Sequence, residues 1–175
     1  MTDVTVITAT IPGREALLEQ AKASVAAQTI PARHLVYHDR EMRGIQHSMN
    51  KLWPRVDTPW MQWLADDDLL MPFHLEALRP YTGDADIIHS YCAVEGRPGF
   101  LPNGSFQETG GWLPATALMR TSLVRALEGW HAEAFPEDHH FWLKAHAAGA
   151  RFAVHREPTW IYRFHGNNLT FKGQR

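Results

Sequence analysis

Trp60-Met61-Gln62-Trp63-Leu64-Ala65 runs straight into Asp66-Asp67-Asp68. A short, mostly apolar run reads as a strand buried on both faces of a parallel sheet. Three consecutive carboxylates repel one another and lose hydration unless a cation or solvent meets them. In open α/β sheets, ligands bind beyond the carboxyl ends of the strands. The junction therefore predicts a strand whose carboxyl end opens on a ligand site, with oxygen donors suited to a hard divalent ion. A capped helix start or a solvated acidic turn is the plain alternative.

Working outward, the chain alternates strand and helix. Val4-Thr5-Val6-Ile7-Thr8 reads as the opening strand, broken at Pro12-Gly13. Residues 14–27 read as a helix with Leu17, Leu18, Ala21 and Val25 on one face. A strand at 34–38 ends at Asp39, and a helix at 45–53 stops at Pro54. After the acidic strand come a helix at 72–78 and a strand at 87–91. This alternation predicts parallel βαβ units in an α/β domain. Residues 95–114 are rich in glycine and proline and read as a long loop. A strand at 115–119, helices at 121–128 and 136–148, and strands at 151–154 and 159–162 complete the pattern.

Composition bounds the function. The 175 residues suffice for one domain with a substantial core. A net charge of -2 argues against a nucleic-acid surface and for a small or neutral partner. Cys92 is the sole cysteine, which excludes an internal disulfide and a cysteine-based zinc cage. Met1-Thr2-Asp3-Val4 lacks the basic start and apolar stretch of a signal peptide, and no run approaches a membrane span. A cytoplasmic protein without a transmembrane segment is the expectation.

The helix at 136–148 carries the second set of candidates. Asp138 shares a face with Phe141, Trp142 and Ala145 and is expected to look inward; Glu137 shares its face with His140 and Lys144 and is expected to look outward. An inward acid at a helix start can line a cleft as a general base, whereas first-turn acids also simply cap helices. His139, His140 and His146 lie near one another, but no HExxH spacing supports a zinc site. Most of the seven tryptophans are expected in the core; Trp112, beside Gly110-Gly111 in the long loop, is the one placed near a substrate, and Arg43-Gly44 lies where an arginine could meet a phosphate.

Five segments in order resemble family 2 glycosyltransferases of the GT-A fold. Val4 to Arg14 is similar to that family's opening strand and loop, and Ser24-Val25-Ala26-Ala27-Gln28-Thr29 to the end of its first helix. Trp63 to Pro72 resembles the DXD region, Glu137-Asp138 the acidic pair, and Tyr162-Arg163-Phe164-His165 the segment closing the catalytic domain. The resemblance implies a GT-A-like, mainly parallel central sheet flanked by helices, in a short single-domain member spanning residues 1–175. It implies that Thr8, Ala9, Thr10, Arg14 and Asp66 hold the nucleotide of a sugar donor, with Asp39 bonding the base, commonly uracil. It implies that Asp67 first and Asp68 second bind Mn2+ or Mg2+, with His165 as a further metal or diphosphate ligand. Asp138 falls on the catalytic base, beside Glu137. The implied reaction moves a sugar, with inversion, from a UDP-sugar or related donor to an unknown acceptor hydroxyl on a glycan, protein or lipid-linked molecule.

This sequence departs from the family where Ala65 replaces an acid and the aspartate triplet is contiguous. Two other functions share the features. A metal-dependent nucleotidyltransferase would carry a glycine-rich, basic phosphate loop, and residues 9–14 hold one glycine and one arginine. A non-catalytic nucleotide-sugar or glycan-binding module would not need both Asp138 and the triplet.

Overall fold

Valine, isoleucine and threonine at alternate and adjacent positions make β1 (Val4–Thr10) a strand buried on nearly its whole length. The computed structural model describes residues 3–96, 98–101, 104–130 and 136–164. α1 (Glu15–Ala26) follows and buries Leu18, Ala21 and Val25, the face predicted from their spacing. β2 (Arg33–His38) and β3 (Trp60–Trp63) flank β1, both parallel to it. α2 (Ile45–Leu52) lies between them in sequence, and Pro54 diverts its end into a short 3-10 turn.

All four residues of β3 are buried. Leu64 still bonds Ile7 through its N–H at 3.0 Å, and Asp68 N–H closes a turn on the Ala65 carbonyl at 3.2 Å. The triplet thus rides on the turn between β3 and β4 (Leu69–Leu70), a two-residue strand too short for the sequence to signal. α3 (His74–Leu78) and β5 (Ile87–Val94) come next.

The stretch at 95–114, expected to be loop throughout, holds β6 (Phe100–Leu101) and α4 (Phe106–Thr109). Ser105 and Glu108 form a reciprocal capping box that starts α4, and Gly110 ends it in the left-handed region, φ +61°. β7 (Leu118–Arg120) runs antiparallel between β3 and β5. α5 (Thr121–Ala126) and α6 (Glu137–Ala147) lead to β8 (Phe152–Tyr162). The two late strands predicted from the sequence are one strand. Its register against β5 jumps from Ser90–His155 to Tyr91–Pro158, because Pro158 has no N–H to continue the ladder.

The strands form a single sheet in the order β2-β1-β3-β7-β5-β8-β4, with β6 joined to β5. Its three longest pairings, β5–β8, β1–β2 and β1–β3, are parallel, and four shorter ones are antiparallel. The main core packs Ile7, Met61, Trp63, Ile87 and Met119 against Phe141 and Trp142 of α6. A separate cluster joins Val6, Val25, Leu64, Leu70 and Trp160, so the β4 edge is drawn back onto α1. The buried polar groups of the sheet are chained together. Gln62 Nε2 donates to His74 Nε2 at 2.6 Å, His74 Nδ1 meets Thr159 Oγ1 at 2.6 Å, and Thr159 meets Ser90 at 2.6 Å. His89, fully buried one residue away, has no partner on either ring nitrogen among the described residues.

Candidate active site

Parallel pairing puts the carboxyl ends of β1, β2 and β3 on one edge. There, Asp39 N–H bonds the Thr10 carbonyl at 2.8 Å, and the Thr10 hydroxyl donates to Asp66 Oδ2 at 2.6 Å. Arg14, just past the Pro12-Gly13 break, reaches back across this edge. Its guanidinium meets Asp66 Oδ1 at 2.9 Å and Asp67 Oδ2 at 2.5 Å. Three residues singled out for a nucleotide, Thr10, Asp66 and Arg14, therefore form one chain of contacts, and Arg14 carries it on to Asp67, the first metal candidate.

The triplet divides into unequal members. Burial raises Asp66, and the Thr10 hydroxyl and Arg14 guanidinium oppose that rise. Asp67 is half-buried. Asp68 is buried: its Oδ1 accepts from the Arg163 N–H at 3.1 Å, and burial next to Asp67 pushes it up to about 8. His165, the third metal candidate, lies outside the described residues.

Arg163 belongs to the closing segment of the family resemblance but had no task there. It is buried, its guanidinium donates to the carbonyls of Asp66 and Asp67, and it also donates to Gln20 of α1 at 2.6 Å. A buried guanidinium must direct its donors at acceptors, and here they fix the turn that carries the acids. A lone arginine at the end of an apolar strand is the available signal.

The side chains of the other nucleotide candidates make different contacts. Thr8 is fully buried, with its hydroxyl on His34 Nε2 at 2.9 Å, so it braces β1 against β2. Ala9 packs against the main core. Asp39 folds its carboxylate inward: Oδ2 accepts from Gly44 N–H at 3.0 Å and Ser48 Oγ at 3.3 Å. Burial pushes Asp39 up, but these donors and the Arg43 N–H outweigh it and hold the carboxyl below its usual range. Arg43 is an exposed loop side chain, 3.7 Å from Glu41.

The start of α6 carries a second group. Asp138 is half-buried and accepts from the His139 N–H at 2.7 Å. The helix start alone would keep its carboxyl low; burial outweighs that and raises it. Glu137 is also half-buried rather than outward, and burial raises it too, helped by the neighbouring Asp138 charge. Trp112 stacks flat on His139, ring centroids 3.9 Å apart and planes within 7°.

No group of three or more histidine, cysteine or acidic residues that could hold a metal is assembled among the described residues. Small hard cations are often held by one or two carboxylates completed by substrate phosphates. The donor chemistry at Asp67 fits that kind of seat, once Arg14 yields the carboxylate. A recess of about 600 Å³ lined by Asp3, Val4, Trp60 and Leu118 lies at the opposite, amino-terminal edge of β1 and β3. No helix among the described residues is long and apolar enough to cross a membrane.

No protein-family model and no curated protein sequence matches the chain. Solved structures match its fold. S. aureus TarS, residues 1–349, aligns with a TM-score of 0.79 at 16% identity, over 92% of this chain and 60% of that one. The same segment in complex with UDP-GlcNAc aligns with a TM-score of 0.77 at 15% identity, over 95% and 60%. The mannosyltransferase PcManGT from Pyrobaculum calidifontis, in complex with GDP-Man and Mn2+, aligns with a TM-score of 0.72 at 15% identity, over 95% and 58%. The chain thus spans about 60% of the length of these neighbours. The α/β class with a GT-A-like sheet, expected from the sequence, is the fold these proteins share.

Proposed function

We propose that this chain is an inverting glycosyltransferase that moves a sugar from a nucleotide-diphosphate donor, a UDP-sugar in the first instance, to an acceptor hydroxyl. One observation carries the reading: Thr10, Arg14, Asp66 and Asp67 meet at the shared carboxyl edge of β1, β2 and β3, where open α/β sheets take their ligands. The neighbours that bind UDP-GlcNAc or GDP-Man with Mn2+ support it through their common fold.

Each residue then has a task. Arg14 exchanges its carboxylate partners for the donor's diphosphate. Asp66 and Thr10 line the ribose side of the edge, and Asp39 shapes the loop at 40–44 on which the base rests. Asp67, with donor phosphate oxygens, would hold Mn2+ or Mg2+; when bound, that ion neutralises charge on the departing diphosphate. Arg163 keeps the turn rigid, so the acids need no reorganisation. Asp138 takes the proton of the acceptor hydroxyl as its oxygen bonds to the anomeric carbon and the bond to the diphosphate breaks, its electron pair leaving with the diphosphate. A carboxyl raised by burial is a stronger base than an ordinary one. Glu137, half-buried beside it, completes the acidic pair at the start of α6.

The 9–14 loop weakens the nucleotidyltransferase alternative, because it offers one glycine and one arginine where that reading needs a glycine-rich, basic phosphate loop. A panel of nucleotide-sugars, incubated with and without Mn2+ and scored for released nucleoside diphosphate, tests the proposal. Asp138→Asn should keep UDP affinity and lose roughly two to four orders of magnitude in turnover. Donor binding with equal, negligible turnover in both proteins would identify a binding module instead.

A further inference from the structure

Trp112 is 58% exposed, yet it is held from three sides. Gly110 and Gly111, φ +61° and +86°, reverse the chain at the end of α4. Gly111 is closely packed: an added Cβ would stand 3.0 Å from Phe106 and 3.2 Å from Leu143. His139 Nε2 lies 3.3 Å from the Gly110 carbonyl, so the imidazole that supports the indole also grips the turn before it. On the other side, Leu113 is buried and its carbonyl accepts from Trp142 Nε1 at 3.3 Å. An indole fixed this firmly with much of its surface in water is a presented surface, not a core filler.

Its neighbour defines what it presents to. His139 follows Asp138 and donates its N–H to that carboxylate at 2.7 Å. One bracing residue therefore joins the indole to the proposed base. We infer that the outer face of Trp112 is the platform on which a sugar ring of the acceptor lies, so that the acceptor is a carbohydrate presenting its hydroxyl to Asp138. The inference rests on the glycosyltransferase reading above. Its chemistry is that of an aromatic face: the ring quadrupole attracts the polarised C–H bonds on the apolar side of a pyranose, while hydroxyls at the rim stay free to react or bond. A flexible polyol has no such flat face and gains less.

The test uses the full chain with UDP and Mn2+ present and saturation-transfer NMR on simple probes. The probes are the methyl pyranosides of glucose, galactose, mannose and N-acetylglucosamine, with ribitol as an acyclic polyol. At least one pyranoside should receive saturation, strongest at the C–H groups of one ring face. Trp112→Ala should cut that signal about fivefold and Trp112→Phe should keep most of it, in line with the worth of one aromatic contact. UDP-sugar affinity should be unchanged in both, and thermal melting should show that both are folded. The inference is overturned if no pyranoside binds, if ribitol binds equally well, or if Trp112→Ala leaves the pyranoside signal intact. A loss of UDP-sugar affinity in Trp112→Ala would place the donor's sugar on the indole and overturn it too. UDP binding in the same samples separates the levels: with UDP bound and no pyranoside, only this inference fails; with no UDP bound, the donor reading fails and takes this one with it.

Discussion

Changing Arg14 to glutamine should make this protein bind Mn2+ more tightly in the absence of nucleotide. The guanidinium occupies Asp66 at 2.9 Å and Asp67 at 2.5 Å, and its side chain is 27% exposed, against 3% and 13% for its partners. A cation that takes Asp67 must first break at least the second of these contacts. A hydrogen bond to a charged group is worth roughly 1.5–3 kcal/mol when sheltered. At about 1.4 kcal/mol per decade, that corresponds to a roughly ten- to hundredfold handicap on metal affinity. The glutamine side chain of Arg14→Gln can still donate one neutral hydrogen bond, so Asp66 keeps a partner. Free Mn2+ followed by electron paramagnetic resonance gives the affinity directly. Wild type should bind Mn2+ weakly alone and strongly with UDP; Arg14→Gln should bind it tightly alone, so that UDP improves it less. By linkage, the same factor should disappear from the Mn2+ dependence of UDP affinity. Adding Asp67→Asn should erase the gain. Equal or weaker Mn2+ binding by a folded Arg14→Gln protein would refute the idea that Arg14 and the metal compete for one seat.

Three further outcomes follow from the same structure. As the proposed base Asp138 must be ionised to act, and burial raises its carboxyl, so the acid limb of kcat/KM should fall above the ordinary aspartate value of about 4; a limb at or below that value contradicts the proposal. His89 is buried without a partner among the described residues and burial, aided by the Arg156 charge, lowers it to about 4, so the folded state holds it neutral below the unfolded pKa of about 6.5. Wild type should therefore lose about 1.4 kcal/mol per pH unit from this residue as pH falls from 6.5 toward 4. His89→Leu should remove that loss, and urea unfolding should show its advantage over wild type widening by about 2 kcal/mol between pH 7 and 5; a constant difference contradicts it. Gly129, φ +71°, would bring a Cβ within 2.2 Å of Trp53 Nε1 and 2.7 Å of Asn50 Oδ1, so Gly129→Ala should cost roughly 2–5 kcal/mol in urea unfolding. Gly83, with open space around it, provides the neutral control for that alanine.

What the sequence revealed depended on how local the cause was. The position of the triplet was legible because a buried strand and a sudden run of charge are written side by side. The inward face of α1 was legible from spacing, and Phe141, Trp142 and Ala145 are buried as the helical period required. The inequality of the three aspartates was hidden, since it is made by Arg163, which stands 95 residues after Asp68. Glu137 was misjudged for a similar reason: a helical wheel knows only its own helix, and burial comes from whatever packs upon it. Thr8 and Thr10 share one side of β1, yet His34 closes over the first while the second reaches the edge. The two-residue strands β4 and β6 carry no period at all, and their pairing with β8 and β5 is decided by the sheet.

Arg163 has one more consequence. Its N–H and guanidinium are pinned to the turn that bears Asp66, Asp67 and Asp68, so the main chain reaches the rim of the edge at that residue. Any segment joined there by a short connection is tethered to the proposed donor site rather than diluted in solution. Tethering of this kind gives effective concentrations of about a millimolar. An engineered tag, lid or acceptor-bearing peptide fused after Arg163 would act on this site in cis, and the same fusion placed before β1 would not, because that strand begins at the opposite edge of the sheet.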